Sequence, residues 1–497
     1  MSKRPSPAPA AGPLSPADVR AVMVGIMLAM LLGAIDQTIV STALPTIGKT
    51  LGDVEHMPWV VTSYLLAATA VTPLYGKFSD IHGRRISLLI GIATFVIGSV
   101  ACALAPTMWV LIIARAVQGL GGGGLISLAQ TIIADITTPK ERARYQVYIA
   151  SVFITSSLLG PVLGGFFAQK LHWSMIFWIN VPLGIGAFWI ANAALKRLPR
   201  HERRHRLDIV GALLMALATV TLMLALTWGG VRYPWGSPEV LGLVAASALL
   251  WFGFAARLLK ADEPLIPLAV LSNGVVGTGT LTACFSMGTF IGLSIYMPVY
   301  FEVGLGYRAS TSGLLLIPLM VGTVIGATLS GRTMAYVRHY KRLPIVGLSV
   351  SVIATALLAL YCDRMPLVLF EVMLFAVSFS MGTVLPVTTV CIQNAVSTHE
   401  LGTATATMNF FRQLGGAIIV AVFGAIVLSG ISNPKLSATG EGIDPTALAP
   451  ADLLTMFPWV LWAAAAGFAL ALFFLLMMEE RPLRANARHA AEAAFAD

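Results

Sequence analysis

Apolar stretches long enough to form a membrane-crossing helix follow one another along almost the whole chain, with short polar turns between them. They fall near residues 20–44, 57–75, 86–105, 107–134, 145–168, 176–195, 208–228, 237–256, 274–301, 311–331, 343–361, 367–395, 402–430 and 453–478. A spanning helix needs about 20 such residues, because the hydrocarbon layer is about 30 Å thick. A water-soluble fold has no way to bury so many of them together. Only 11% of the 497 residues are charged, against about 25% in a typical soluble domain. The period-two alternation of a membrane barrel is missing, so the spans read as helices. The sequence therefore predicts an all-α integral membrane protein with fourteen transmembrane helices.

The net charge of +9 in a soluble chain would raise the question of nucleic acid. Here the basic residues sit in short runs between the spans, which fits membrane orientation and no nucleic-acid partner. With the N-terminus inside and sides alternating, 24 Lys and Arg residues fall on the inner side and 6 on the outer; Arg115 and Arg412 remain within spans. That asymmetry puts both termini in the cytoplasm and argues for an even number of spans. The longest basic run, Lys196 to Arg206, reads as a cytoplasmic linker held by anionic lipid. The segment Ser432 to Asp452 reads as a flexible outer cap.

The four cysteines (Cys102, Cys284, Cys362, Cys391) are far apart and form no CxxC, so neither a disulfide framework nor a zinc site is expected. His82, His172, His339 and His399 fall in loops or at span ends, and no metal ligand set is expected. The Pro-rich start, residues 1–19, has no apolar core ahead of a cleavage site and reads as a tail rather than a signal peptide. HExxH, GxSxG and phosphate-binding loops are absent, which argues against an enzyme.

A weak internal repeat divides the chain. Gly76 and Gly91 bracket a basic turn after the second span, and Gly331 and Gly347 bracket another after the tenth. This suggests two six-helix halves with spans seven and eight inserted between them, the paired construction of many secondary transporters. The expected divisions are a tail at 1–19, a bundle at 20–200, inserted helices at 201–260, a second bundle at 261–478 and a tail at 479–497.

Several motifs then carry a family resemblance. Gly76-Lys-Phe-Ser-Asp80-Ile-His-Gly83-Arg84-Arg85 resembles the loop between helices two and three of the major facilitator superfamily. The resemblance implies a cytoplasmic latch built from Gly76, Asp80, Gly83, Arg84 and Arg85, with Asp135 as a partner. Arg115 in Leu111-Ile-Ile-Ala-Arg115-Ala-Val-Gln118-Gly119 is similar to the superfamily's buried arginine. It lies about 12 Å into its span, so it should face a cavity or a carboxylate, unless it snorkels to the outer surface. Gly160-Pro161-Val-Leu-Gly164-Gly165, preceded by Ser156, resembles the antiporter motif of the fifth helix. Its small residues permit close helix contact and Pro161 favours a bend.

The first span ends Ile35-Asp36-Gln37-Thr38-Ile39-Val40-Ser41-Thr42, which resembles the fourteen-helix drug/proton antiporter branch. Asp36 is the first choice for the proton-coupling residue, with Gln37 beside it; the alternative is a static pair that holds helix one. Asn180 near the start of the sixth span, Asn394 in the twelfth and Asn409 in the thirteenth lie in segments that resemble the same branch. Arg412 lies about 15 Å into the thirteenth span, and no carboxylate lies between Gly402 and Gly430. Glu371, about one turn inside the twelfth span, is a second candidate acid, and Glu302 at the end of the ninth is a weaker one.

The resemblance implies a major facilitator fold of two six-helix bundles plus two inserted helices, in a bacterial cytoplasmic membrane. It implies export of lipophilic, cationic drugs driven by protons, with no cofactor. An outer membrane, where present, would call for a periplasmic adaptor. Alternatives are a dedicated exporter of one metabolite (an antibiotic, fatty acid or siderophore) on the same fold, and a non-transporting membrane sensor.

Overall fold

The computed structural model of the chain describes residues 16–53, 56–196, 207–337, 339–362, 364–429 and 450–483. The tails before residue 16 and after 483, most of the basic linker and the outer cap at 432–449 lie outside the described residues. The described residues are helical almost throughout. The helices are α1 (Pro16–Leu51), α2 (Trp59–His82), α3 (Arg84–Ala103), α4 (Met108–Gly122), α5 (Leu125–Ile136), α6 (Pro139–Lys170), α7 (Met175–Trp178), α8 (Asn180–Leu195), α9 (Ile209–Trp228) and α10 (Pro238–Lys260). After them come α11 (Leu268–Ser272), α12 (Gly274–Val299), α13 (Ala309–Leu315), α14 (Ile317–Tyr336), α15 (Arg342–Tyr361), α16 (Leu367–Ala395), α17 (Leu401–Ser429) and α18 (Pro450–Met477).

Among the described residues, thirteen helical segments are long and apolar enough to cross a membrane, one fewer than expected. The segment that falls short is the second. The helix itself is there, 24 residues of α2, but Ser63, Thr69 and Thr72 lie buried along it. Its polar face meets other helices rather than lipid, which lowers its hydropathy. Loop residues explain many of the helix starts. Thr107, Asp208, Ser237 and Asn273 each accept a backbone N–H of the first turn of α4, α9, α10 and α12, and Thr138 forms a capping box with Glu141 at α6.

Glycines set the closest approaches. Gly83, at φ +90°, is the single residue between α2 and α3, a conformation other side chains rarely adopt. The run Gly121–Gly124 both interrupts the fourth span and brings it against its neighbours. A Cβ on Gly121 would stand 2.7 Å from the Gly91 carbonyl oxygen of α3. The faint repeat has a physical counterpart here: Gly91 of α3 packs on the α4–α5 segment, and Gly347 of α15 packs on Ser380 of α16.

Two apolar cores use only residues between Val22 and Leu195, and a third uses only residues between Val275 and Met478. They mark two groups of helices, α1–α8 and α12–α18. The pair α9–α10 lies against α2 and α17, and a smaller apolar cluster joins Met215 and Phe254 of that pair to Ala134 and Met408. The two groups also meet directly, through α2 with α17, α6 with α14, and α5 with α17.

Candidate functional site

A polar cluster lies inside the first bundle, and its geometry starts from Asp36. The Asp36 side chain is fully buried, and its Oδ2 accepts a hydrogen bond from Arg115 Nη1 at 2.6 Å. Its Oδ1 accepts from Gln118 Nε2 and Asn180 Nδ2, each at 2.9 Å. Arg115 is as deeply buried; it donates through Nε to the Val60 carbonyl at 3.0 Å and through Nη1 to Gln118 Oε1 at 2.7 Å. Its guanidinium carbon lies 4.3 Å from the centre of the Tyr64 ring and 5.8 Å from that of Phe177, within cation–π range. Ser99 accepts from Gln118 Nε2 and Asn180 Nδ2 at 3.1 and 2.9 Å.

The pair thus ties together α1, α2, α3, α4 and α8. A buried ion pair is tolerable where the remaining polar atoms are satisfied, and Asp36 meets that condition with three donors. Arg115 faces a carboxylate and does not snorkel. Gln37 is exposed, unlike its neighbour Asp36. Gln118 and Asn180 were not singled out by their chemistry in the sequence. The spacing of Arg115 and Gln118, three residues apart on one helix face, was the available signal; nothing local points Asn180 at Asp36.

A second group of contacts forms one face of the molecule, the face carrying the basic α2–α3 turn. Asp80 reaches from α2 to the start of α17, where its carboxylate accepts the backbone N–H groups of Gly402 and Thr403 at 3.0 and 2.8 Å and the Thr403 hydroxyl at 2.7 Å. An anion at a helix N-terminus satisfies free N–H groups and the helix dipole together. Arg84 bonds the same carboxylate and donates to Asp135 Oδ2 at 2.7 Å. Gly76 lets the helices touch, since a Cβ there would stand 2.6 Å from the Gly402 carbonyl oxygen.

Arg85 does not belong to this contact. It donates to Asn192 Oδ1 at 3.0 Å, binding α3 to α8 inside the first bundle. One helical position separates it from Arg84 and turns it away from α17. Arg142, one of the inner-side charges by its place between the spans at 107–134 and 145–168, is buried and crosses between the bundles to Gln393 Oε1 at 3.2 Å.

Deeper in, Asn409 donates to Gln130 at 2.8 Å and Thr69 donates to Gln413 at 2.8 Å. These inter-bundle bonds run from the middle of the helices to the basic face, so the two bundles are closed together on that side.

Gly160 and Gly164 seat α6 on α1. A Cβ on either would run into the Thr38 or Thr42 hydroxyl, and Thr38 donates to the Ser156 carbonyl at 2.9 Å. Pro161 is exposed within an unbroken α6. Gly165 differs from the other two, with no atom within 4 Å of a Cβ placed there; close packing does not explain it.

The remaining candidates lie in the second bundle and are not brought to Asp36. Glu371 is half-buried near the start of α16, and neither carboxylate oxygen has a hydrogen-bond partner among the described residues. Glu302 is exposed. Arg412 is buried in α17 beside Thr388, Thr389 and Asn409.

Comparison with known proteins bears on this arrangement. The chain is 33% identical over 434 residues to Multidrug resistance protein 3 of Bacillus subtilis, covering 87% of this chain and 84% of that one. It is 34% identical over 415 residues to Multidrug transporter protein MdtP of the same organism, covering 83% and 76%. Among solved structures, the human organic anion transporter MFSD10 superposes with a TM-score of 0.66 at 16% identity, over 93% of this chain and all of that one. The proton:xylose symporter XylE gives 0.62 at 16%, over 94% and 98%. At such identities the structures speak for the fold alone. Residues 26–420 match the sequence profile of the Major Facilitator Superfamily, and the chain belongs to that family as a multi-pass membrane transporter, not an enzyme.

Proposed function

We propose that the protein exports lipophilic small molecules across a bacterial cytoplasmic membrane in exchange for protons, by alternating access. The multidrug names of the Bacillus subtilis relatives support the export of drug-like compounds. The buried Asp36–Arg115 pair carries the proton part of the reading. Protonating Asp36 removes its charge and leaves Arg115 uncompensated in a dry site. Breaking a buried pair in this way costs about 3–5 kcal/mol. Swinging a two-state equilibrium from 1:99 to 99:1 takes about 5.5 kcal/mol. One proton at this position is therefore of the right size to bias the transporter between its two states.

In this reading the basic face is cytoplasmic, as are both termini, and the structure corresponds to the state open to the outside. Asp80, Arg84 and Asp135 latch that state, with Gly76 and Gly83 allowing the close fit. Gly160 and Gly164 hold α6 to α1, so that movement at Asp36 is passed to the bundle wall. Substrate leaves outward as Asp36 takes a proton from outside, and the proton is released inward after the bundles rock.

No cofactor takes part. In a cell with an outer membrane, a periplasmic adaptor would carry the cargo onward. The cationic substrate class rests on Asp36 as a free carboxylate. A cation would have to displace Arg115 there, so the charge of the substrate is decided by other residues.

The test uses purified protein in liposomes under an imposed pH gradient, following a lipophilic dye and the internal pH together. Dye movement coupled to opposite proton flux is the expected result. Folded protein that leaves both dye and gradient undisturbed would contradict the reading.

A further inference from the structure

Arg412 is a deeply buried intramembrane charge that the exchange mechanism leaves unused. It is the twelfth residue of α17, about 17 Å from the helix end at the basic face, and only 8% of it is exposed. Its Nη2 donates to the hydroxyls of Thr388 and Thr389 at 3.3 and 3.1 Å, and its Nη1 to Asn409 Oδ1 at 3.4 Å. Its Nε is buried with no partner. All three acceptors are neutral and two of the three bonds are longer than an ordinary N–H···O bond; the charge-assisted bond from Arg115 to Asp36 is 2.6 Å. The threonine hydroxyls give their own protons to the carbonyls of Val384 and Leu385, so they present lone pairs and nothing more.

Among the described residues, no carboxylate is placed to neutralise this charge. The helices packed most on α17 are α2, α5, α9, α12, α16 and α18, and the turn just before it carries Glu400, which accepts from Ser397 and stands 12 residues before Arg412. Two of them, α9 and α12, contain no acid. Asp80 of α2 and Asp135 of α5 are both bonded to Arg84. Glu371 of α16 stands 17 residues before Thr388, about 26 Å along the helix. Asp452 is the third residue of α18, at the end remote from the basic face.

A buried guanidinium with no counter-charge is costly to hold, and a fork of donors in a dry setting is suited to a planar oxyanion. Arg412 also lies beside the contact between the bundles: Asn409 and Gln413, three residues before it and one after it in α17, bond to Gln130 and Thr69 of the other bundle. In the exporter reading, parting of the bundles at the basic face breaks those two bonds and uncovers this level.

We propose that Arg412, with Thr388, Thr389 and Asn409, forms a subsite for an anionic group on the transported molecule. The substrates are then lipophilic compounds that carry a carboxylate or similar oxyanion, zwitterions included, rather than plain cations. The proposal rests on the exporter reading for its meaning, but binding at Arg412 can be measured apart from transport.

The experiment compares a rhodamine bearing a free carboxylate with its ethyl ester, which differs by that one charge. Binding to the purified full-length protein is followed by fluorescence anisotropy in a chloride-free, carboxylate-free buffer of low ionic strength. The acid is expected to bind about tenfold or more tightly than the ester, the scale of one well-placed ionic contact. Arg412→Gln should erase that preference by bringing the acid down to the affinity of the ester, and Arg412→Lys should retain part of it. Arg412→Lys keeps the charge, so it still reports if the glutamine variant fails to fold.

Equal binding of acid and ester, binding of neither, or an acid preference that survives Arg412→Gln would overturn the proposal. So would loss of acid binding on adding chloride at physiological concentration, which would assign the site to a small inorganic anion. Arg412-dependent binding without gradient-driven flux in liposomes would retain this subsite and remove the exporter reading instead.

Discussion

Each bundle buries one arginine near the middle of the membrane, and the two are treated in opposite ways. Arg115 has a carboxylate, a side-chain amide, a backbone carbonyl and two aromatic faces around it. Arg412 has three neutral oxygens at longer range and one nitrogen with no partner. A charge completed within the protein serves the protein's own energetics, because removing its partner has a large cost. A charge left incomplete is available to something that comes and goes. The difference suggests a division of work, with the proton handled in the first bundle and the anionic part of the substrate in the second.

The largest expected effect tests that contrast on stability. Arg115→Gln leaves Asp36 buried without its counter-ion and should destabilise the detergent-solubilised protein by about 3–5 kcal/mol. Arg412→Gln removes an uncompensated charge and should be neutral or mildly stabilising. Thermal unfolding of the two variants side by side reads the difference, and equal losses would erase the contrast. Adding Asp36→Asn to Arg115→Gln should restore part of the lost stability, because the pair is then removed as a unit.

The next effect concerns the closed face. Asp80→Asn weakens a set of charge-assisted bonds at the start of α17, each worth about 1.5–3 kcal/mol. Spin labels at the ends of α2 and α17 should show a longer distance in the variant, with the population shifted toward the parted state. Arg85→Ala should leave that distance unchanged, since Arg85 is bonded to Asn192 within its own bundle. A shift of similar size in both variants would mean that the latch is wider than the contacts indicate.

The smallest effects come from the glycines of α6. Gly164→Val meets the Thr42 hydroxyl and the Ile39 carbonyl, and overpacking of this kind typically costs about 1–3 kcal/mol. Gly165→Ala meets nothing and should stay within about 0.5 kcal/mol of wild type. Thermal stability distinguishes them.

The membrane makes much of this fold legible in advance. Each span needs a long apolar run, so all fourteen apolar stretches fall on helices, with ends misplaced by several residues; the breaks between α4 and α5, α7 and α8, and α13 and α14, and the short α11, leave no mark in that pattern. The span at 57–75 is a helix as expected, and α2 falls below the hydropathy of the others only because Ser63, Thr69 and Thr72 lie buried between helices rather than against lipid. Asp36 and Arg115 stand out because a charge in a span is expensive wherever it is. Asn180, Gln130 and Gln393 do not stand out, because an amide becomes significant only through a partner that sequence does not place beside it.

Arg142 shows the same limit from the other direction. Its position after the fourth span counts it among the inner-side charges, yet the closed state buries it against Gln393. Arg84 and Arg85 are neighbours with the same chemistry, and only the helix phase assigns one to α17 and the other to α8.

The most direct measurement of the central claim uses Asp36→Asn in proteoliposomes, comparing substrate exchange without a gradient against accumulation driven by a pH gradient. Exchange needs only alternating access, whereas accumulation needs the proton. The account predicts that exchange continues while gradient-driven accumulation falls to background. Accumulation that survives at the wild-type rate would contradict it and place the coupling proton elsewhere.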